Sequence, residues 1–136
     1  MYKKISFLFI FAVLAFGVFN PNIASAKYQC GAYEQKCAEA SMSYGDQQYA
    51  ASSRVYFSYG ETIRYDWDND APSMQVSFQV YNSSGAPVSK ELVAGPDYGN
   101  NYGFYDVPSS GYYYLFAACE GGNDTRCQGG GTIAKW

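Results

Sequence analysis

Residues 74–81 read Met-Gln-Val-Ser-Phe-Gln-Val-Tyr, and every second residue is apolar. Successive side chains of a β-strand point to opposite faces of a sheet, so this period of two predicts a strand with one buried face. The same alternation occurs twice earlier in the chain, at residues 55–59 and 63–67, where the apolar positions are Val55, Phe57, Tyr59, Ile63, Tyr65 and Trp67.

Further short strands are predicted at residues 88–93, 102–107, 112–119 and 129–136, with Gly, Pro, Ser and Asn concentrated between them. Six or seven short strands with frequent turn signals are typical of an all-β fold. We therefore expect a small antiparallel β-sandwich, either a jelly roll or an immunoglobulin-like sandwich. The glycines at 129–131 predict a bulge or a close approach of two strands.

Residues 106–115 read Asp-Val-Pro-Ser-Ser-Gly-Tyr-Tyr-Tyr-Leu and resemble the last hairpin of many bacterial extracellular sandwiches. The likeness covers ten residues and is shared by unrelated modules, so it implies a fold and no particular family. Only residues 32–42 have a helix-forming composition. We expect at most one short helix there, across one end of the sandwich.

Residues 1–26 have the features of a cleavable signal peptide. Two lysines precede an apolar stretch at residues 5–19, which is shorter than the ~20 residues needed to span a bilayer. Ala-Ser-Ala at residues 24–26 then fits a signal-peptidase site. We expect cleavage before Lys27 and secretion of residues 27–136 as a single domain with no membrane insertion.

The charge balance argues against two classes of partner. The chain has 9 Lys or Arg and 12 Asp or Glu residues, and loss of residues 1–26 would remove two of the lysines, giving a net charge of −5. Nucleic acids and anionic lipids require clustered basic residues, and the chain after residue 26 contains no such cluster. We expect an extracellular glycan or protein as the partner.

Four cysteines, an even number in a small exported chain, predict two disulfides. Their spacing matches no common zinc motif, and the chain has no histidine. Of three pairings we expect the two local ones, Cys30–Cys37 and Cys119–Cys127. The first requires that residues 31–40 are not one regular helix, which would hold the Cα atoms roughly 10 Å apart when a disulfide needs less than about 7 Å.

The absence of histidine also bears on catalysis. It removes the commonest general base and every Ser-His or Cys-His nucleophile pair, and disulfide bonding would remove the thiols. We therefore expect no catalytic residues and no enzymatic activity.

Residues 66–70 read Asp-Trp-Asp-Asn-Asp, with carboxylates at alternate positions as at the start of a calcium-binding loop. The Gly and Glu that an EF-hand needs at its sixth and twelfth positions are absent. Two interpretations remain: a calcium site with Asp66, Asp68 and Asp70 as metal ligands, or an acidic turn between strands. No other cofactor is expected.

Tyrosine is unusually frequent, with 15 residues, 14 of them after residue 26. Exposed tyrosines stack against sugar rings and are also enriched in protein interfaces, although tyrosine is equally well suited to strands in general. One mixed aromatic and polar set surrounds a predicted loop and is our candidate ligand site: Tyr98, Asn100, Asn101, Tyr102 and Tyr105.

These features favour a secreted, non-catalytic binding module that recognises a glycan or a cell-envelope polymer through a Tyr-rich surface. The alternative is a secreted, protein-directed effector, such as a bacteriocin-like toxin or an inhibitor of another secreted protein. An inhibitor should present a protruding loop, for which residues 120–126 between two cysteines are the candidate. A third hypothesis is a matrix component that self-assembles through its tyrosines. The oligomeric state stays open.

Overall fold

The computed structural model describes residues 30–31, 35–70 and 74–136. These residues form nine β-strands in two antiparallel sheets. The strands are β1 Cys37–Met42, β2 Tyr49–Ala51, β3 Val55–Phe57, β4 Thr62–Asn69, β5 Val76–Asn82, β6 Leu92–Ala94, β7 Asn100–Asp106, β8 Gly111–Cys119 and β9 Gly129–Lys135. The all-β prediction is confirmed, and the predicted signal peptide, residues 1–26, lies outside the described residues.

The first sheet has the strand order β1-β9-β4-β7, and the second has the order β2-β8-β5-β6. Strand β3 also pairs with β8, so β2 and β3 act as two halves of one interrupted edge strand. The pairings are nested: β1 lies against β9, β2 and β3 against β8, β4 against β7, and β5 against β6. The chain is thus one antiparallel ribbon, closed by the additional pairs β4–β9 and β5–β8.

Both sheets contribute side chains to one core, which gives the molecule a sandwich-like arrangement. Strand β4 buries Ile63, Tyr65 and Trp67 to at least 99%, as its alternation predicts. Tyr65 of the first sheet meets Phe78 of the second, with ring centroids 5.9 Å apart. Full burial of a large apolar side chain stabilises a fold by about 1.5–3 kcal/mol, so these contacts hold the two sheets together.

Asn69, at the end of β4, is a buried polar residue with its hydrogen-bonding groups paired. Its Nδ2 donates to three backbone carbonyls: Met74 O at 3.0 Å, Ala94 O at 2.9 Å and Gly95 O at 3.0 Å. Its Oδ1 accepts a hydrogen bond from Trp67 Nε1 at 3.2 Å. Buried polar groups are costly unless they are paired. The hydrogen bonds of the Asn69 amide connect β4 to the start of β5 and the end of β6.

The helix that the composition of residues 32–42 allows is not formed at residues 37–42, which form β1. Residues 32–34 lie outside the described residues, and the helical turn of the described part is a short 3-10 turn at Glu120–Gly122. Ala38, Ala40 and Met42 face the core at a period of two, and β1 pairs with β9 along its whole length. These tertiary contacts outweigh the helix propensity of the polar residues, which is worth only a few tenths of a kcal/mol per residue (~0.7 at most).

The two local disulfides are confirmed. Cys30 and Cys37 have Cα atoms 5.7 Å apart, and those of Cys119 and Cys127 are 5.6 Å apart. The predicted strand at residues 88–93 is displaced, because β6 covers Leu92–Ala94 and an isolated bridge joins Tyr81 to Pro87. No helix of the described residues is long and apolar enough to cross a membrane.

Candidate functional site

The outer face of the first sheet carries an open groove. The register of β4 and β7 places Asp66 opposite Tyr102 and Arg64 opposite Phe104. These residues alternate with the buried positions of β4, so their side chains lie on the outer face. We call this surface the first-sheet groove and define it by Arg64, Asp66, Asp68, Asn100, Tyr102, Phe104, Thr132, Ala134 and Trp136.

Three exposed aromatic rings form one side of the groove. Tyr102, Phe104 and Trp136 are 56%, 47% and 73% exposed. The ring centroids of Tyr102 and Phe104 are 5.9 Å apart and those of Phe104 and Trp136 are 4.9 Å apart, with interplanar angles of 83° and 63°. The rings therefore pack edge to face in a row, and each leaves part of its surface to solvent.

A polar network lies beside this row. The Asp66 carboxylate accepts hydrogen bonds from the Thr132 backbone N–H at 2.9 Å and from the Thr132 hydroxyl at 3.1 Å. It also accepts a hydrogen bond from Arg64 Nη1, and the Arg64 guanidinium lies 5.1 Å from the centroid of the Tyr102 ring. Arginine has five N–H donors, so Asp66 and Tyr102 fix its position and leave donors for a ligand.

Two further polar side chains border the groove on paired strands. Asp68 of β4 lies opposite Asn100 of β7. Within the described part of the chain, the Asp68 carboxylate and the Asn100 amide have no hydrogen-bonding partner. The Asp68 carboxylate, which accepts hydrogen bonds, and the Asn100 amide, which donates and accepts them, are therefore available side by side to a ligand.

The groove is deepened by small residues on β9. Thr132 and Ala134 of β9 line a depression of about 580 Å³ together with Arg64, Tyr102, Phe104, Lys135 and Trp136. A second depression of about 320 Å³ adjoins it, lined by Arg64, Asp66, Trp67, Asp68, Asn100, Asn101 and Tyr102. Arg64 and Tyr102 border both depressions, so the two form one continuous surface.

The glycines of β9 allow its close approach to β4, as predicted. A Cβ atom on Gly131 would lie 1.9 Å from the backbone oxygen of Asp66, and one on Gly129 would lie 2.2 Å from that of Asp68. No side chain fits at either position, so the backbone of β9 lies close beside Asp66 and Asp68 of β4.

The structure separates the five predicted ligand residues. Asn100 and Tyr102 lie on the outer face of the first sheet, whereas the Asn101 amide donates to Val93 O at 3.2 Å. Tyr105 packs against the core and Tyr113, and its burial raises its pKa. Tyr98 is 64% exposed in the turn before β7, with φ of 61°. The groove is thus defined by two of the five, Asn100 and Tyr102, and Asn101 lines the edge of one of its depressions.

Sequence reasoning missed Arg64, Phe104 and Trp136. Phe104 follows Tyr102 by two residues in a predicted strand, so strand periodicity alone places the two rings on one face. Arg64 and Trp136 join them only through the long-range register of β4, β7 and β9, which no local pattern reveals.

The three predicted metal ligands lie along one strand and its end. Asp66 is already paired with Arg64 and Thr132, and the backbone N–H of Asp70 donates to Gln128 O at 2.7 Å. Among the described residues, no three His, Cys, Asp or Glu side chains come together as a group that could hold a metal ion. Calcium binding at Asp66, Asp68 and Asp70 therefore stays an untested interpretation, and the described residues contain no ready-made ligand cluster for it.

The disulfide-braced loop, residues 120–126, is held against the body of the protein. The Glu120 backbone N–H donates to Gln75 O at 2.9 Å, and its side chain accepts a hydrogen bond from the Gln75 N–H at 2.9 Å. At the other end, the Gly45 N–H donates to Thr125 O at 2.7 Å. Hydrogen bonds from Arg126 lower the pKa of Asp124 to about 2.

No protein-family model matches this chain, and no curated protein matches it. The site is therefore interpreted from its own geometry.

Proposed function

We propose that this protein is a secreted, non-catalytic binding module whose first-sheet groove holds a glycan or a cell-envelope polymer. One observation carries the proposal: three exposed aromatic rings lie beside Arg64, Asp68 and Asn100, which have hydrogen-bonding capacity to spare. A sugar ring has an apolar C–H face that packs on aromatic rings and hydroxyl groups that pair with such side chains. The groove offers both kinds of contact on one surface.

The absence of catalysis in this proposal is supported by the chemistry of the chain. The sequence has no histidine, and all four cysteines are in disulfides. The Asp66 carboxylate is engaged by its ion pair with Arg64 and by hydrogen bonds from Thr132, which occupy oxygens that a general base would use.

The proposal includes a fold type and a location. When β2 and β3 are counted as one strand, each sheet has four strands, and the strand pairs are nested as in one folded ribbon. This topology supports a jelly roll rather than an immunoglobulin-like sandwich. Two disulfides support an oxidising, extracellular environment, together with the predicted signal peptide.

The alternative function is a protein-directed effector that uses the braced loop at residues 120–126. The exposure of Arg126, whose side chain is 54% accessible, favours this alternative. The hydrogen bonds from Gln75 and Gly45 count against a protruding inhibitory loop, so the groove remains the better supported site.

The test is a pull-down of the oxidised, exported protein on insoluble peptidoglycan and several insoluble polysaccharides. We expect retention on at least one polymer, and a loss of affinity of about tenfold or more in Tyr102→Ala/Trp136→Ala, the effect of removing about 1.4 kcal/mol of binding energy. Tyr59→Ala is the matched control, because Tyr59 is 75% exposed and lies in the turn before β4, outside the residues that line the groove. Equal retention of the double variant and the wild type would refute the proposal.

A further inference from the structure

The outer face of the second sheet carries its own group of aromatic side chains. They come from β2, β3, β5 and β8 and alternate with buried residues such as Tyr113 and Leu115. We call this surface the second-sheet face and define it by Tyr49, Tyr56, Tyr81, Tyr112, Tyr114 and Phe116.

Four of these rings follow one another in a row, with interplanar angles between 27° and 45°. Tyr49 and Phe116 have centroids 5.6 Å apart and planes at 27°, and Phe116 and Tyr81 are 4.8 Å apart at 36°. Tyr81 and Tyr114 continue the row at 5.6 Å and 45°. The row differs from the edge-to-face packing of the first-sheet groove, because its neighbouring rings are inclined to each other by 27° to 45° rather than by 63° to 83°.

Polar groups accompany the rings. A depression of about 250 Å³ between Tyr49, Phe116 and Tyr81 is also lined by Ser77, Gln79 and Glu91. The Gln79 amide donates to Ser89 O at 3.0 Å, which fixes its orientation and leaves its oxygen as an acceptor. Of the residues lining this depression, Glu91 alone carries a charge.

The composition of this surface identifies the class of ligand. A row of aromatic rings, with one stacked and two tilted contacts and with hydroxyl and amide groups beside it, matches the alternating apolar and hydroxyl surfaces of a sugar chain. The charged groups at this face have both signs: Arg54 lies 5.7 Å from the centroid of the Tyr114 ring, Lys36 lies 5.9 Å from that of Tyr56 and is paired with Glu61, and Glu91 lines the depression. Charges of mixed sign give neither an anionic nor a cationic polymer a large electrostatic gain. An uncharged polysaccharide fits both observations.

We infer that the second-sheet face is a second binding surface, specific for a strand of neutral polysaccharide. The two surfaces are the outer faces of two sheets packed on one core, so a single strand cannot lie flat on both. The protein would therefore bridge two polymer strands. The bridging rests on the proposed function of the first-sheet groove, whereas binding at the second-sheet face stands without it.

The experiment measures binding stoichiometry and bridging with four soluble neutral polymers: a β-glucan, a xylan, a galactomannan and a dextran. Calorimetry gives the number of independent sites per chain, and turbidity reports cross-linking of the polymer. The oxidised, exported protein is compared with Tyr49→Ala/Phe116→Ala, with Tyr102→Ala/Trp136→Ala and with both pairs combined. Tyr49→Phe keeps the ring and is the conservative control, and thermal midpoints show that each variant is folded.

With at least one polymer, we expect two sites in the wild type, one in each double variant and none in the combined variant. Turbidity should appear with the wild type and with Tyr49→Phe, and should fall at least about tenfold in either double variant. Unchanged binding and turbidity in Tyr49→Ala/Phe116→Ala would overturn the inference, as would binding to none of the four polymers.

Other outcomes separate the two proposals. Loss of all binding in Tyr102→Ala/Trp136→Ala overturns the second surface and leaves the proposed function standing. Loss of all binding in Tyr49→Ala/Phe116→Ala, with binding kept in Tyr102→Ala/Trp136→Ala, supports the second surface. The same result overturns both the bridging and the proposed role of the first-sheet groove. A dimer that Tyr49→Ala/Phe116→Ala dissociates would assign this face to a second copy of the chain and overturn the inference.

Discussion

Asn69 shows how one side chain can decide the arrangement of three segments. In the sequence it is the amide within an acidic motif, and in the structure it is buried with its hydrogen bonds directed inward. Replacing it by alanine leaves carbonyl groups and Trp67 Nε1 without their partner. An unsatisfied buried polar group costs about 1–3 kcal/mol, so we expect Asn69→Ala to lower the free energy of unfolding by about 2–4 kcal/mol.

Urea denaturation of the oxidised protein measures this loss. The matched control is Asn100→Ala, since Asn100 is exposed and its amide has no partner in the described part of the chain. A surface substitution of this kind usually changes the free energy of unfolding by less than about 0.5 kcal/mol. Equal effects of the two alanine variants would contradict the structural role assigned to Asn69.

Among the elements, those with local alternation could be predicted from the sequence. Strands β4 and β5 were found because burial at every second residue is visible within each strand. Strand β1 was missed because its polar residues favour a helix, and its partner β9 lies far along the chain. The candidate site was found in part for the same reason: Asn100 and Tyr102 lie within one strand, whereas Arg64 and Trp136 are brought in by long-range pairing.

The loop between Cys119 and Cys127 gives a prediction about pH. Hydrogen bonds from Arg126 hold the pKa of Asp124 at about 2, below its ordinary value of 3.8. A lowered pKa in the folded protein means that the carboxylate stabilises the fold above pH 4, and that this contribution is lost as the pH falls from about 4 to about 2. The effect is small, because both side chains are in contact with solvent.

We therefore expect Asp124→Asn to have a slightly lower thermal midpoint than the wild type at pH 6, and the two midpoints to converge by pH 2. Asp46→Asn is the control, because Asp46 is an exposed acid in another loop. A difference between Asp124→Asn and the wild type that persists unchanged at pH 2 would show that the carboxylate charge is not its cause.

At the scale of the whole molecule, the thermal midpoint of unfolding distinguishes a calcium site from an acidic strand that binds no metal ion. Asp66 is engaged by Arg64 and Thr132, and calcium would have to displace these contacts or bind without this ligand. We expect the thermal midpoint to be the same in excess calcium and in chelator. An ion at a hundred times its dissociation constant stabilises a fold by about 2.7 kcal/mol, so a rise of several degrees would refute this expectation.

The nested pairing of the ribbon has a consequence for the order of folding. Its inner pair, β5 with β6, joins near neighbours in sequence, whereas its outer pair places Cys37 beside Ala134. Folds dominated by such distant pairings form slowly, in milliseconds to seconds. The two disulfides join cysteines only 7 and 8 residues apart in sequence. Neither therefore brings β1 closer to β9 in the unfolded chain. The first sheet therefore cannot be completed before residues 129–135 are available, because β9 pairs with both β1 and β4.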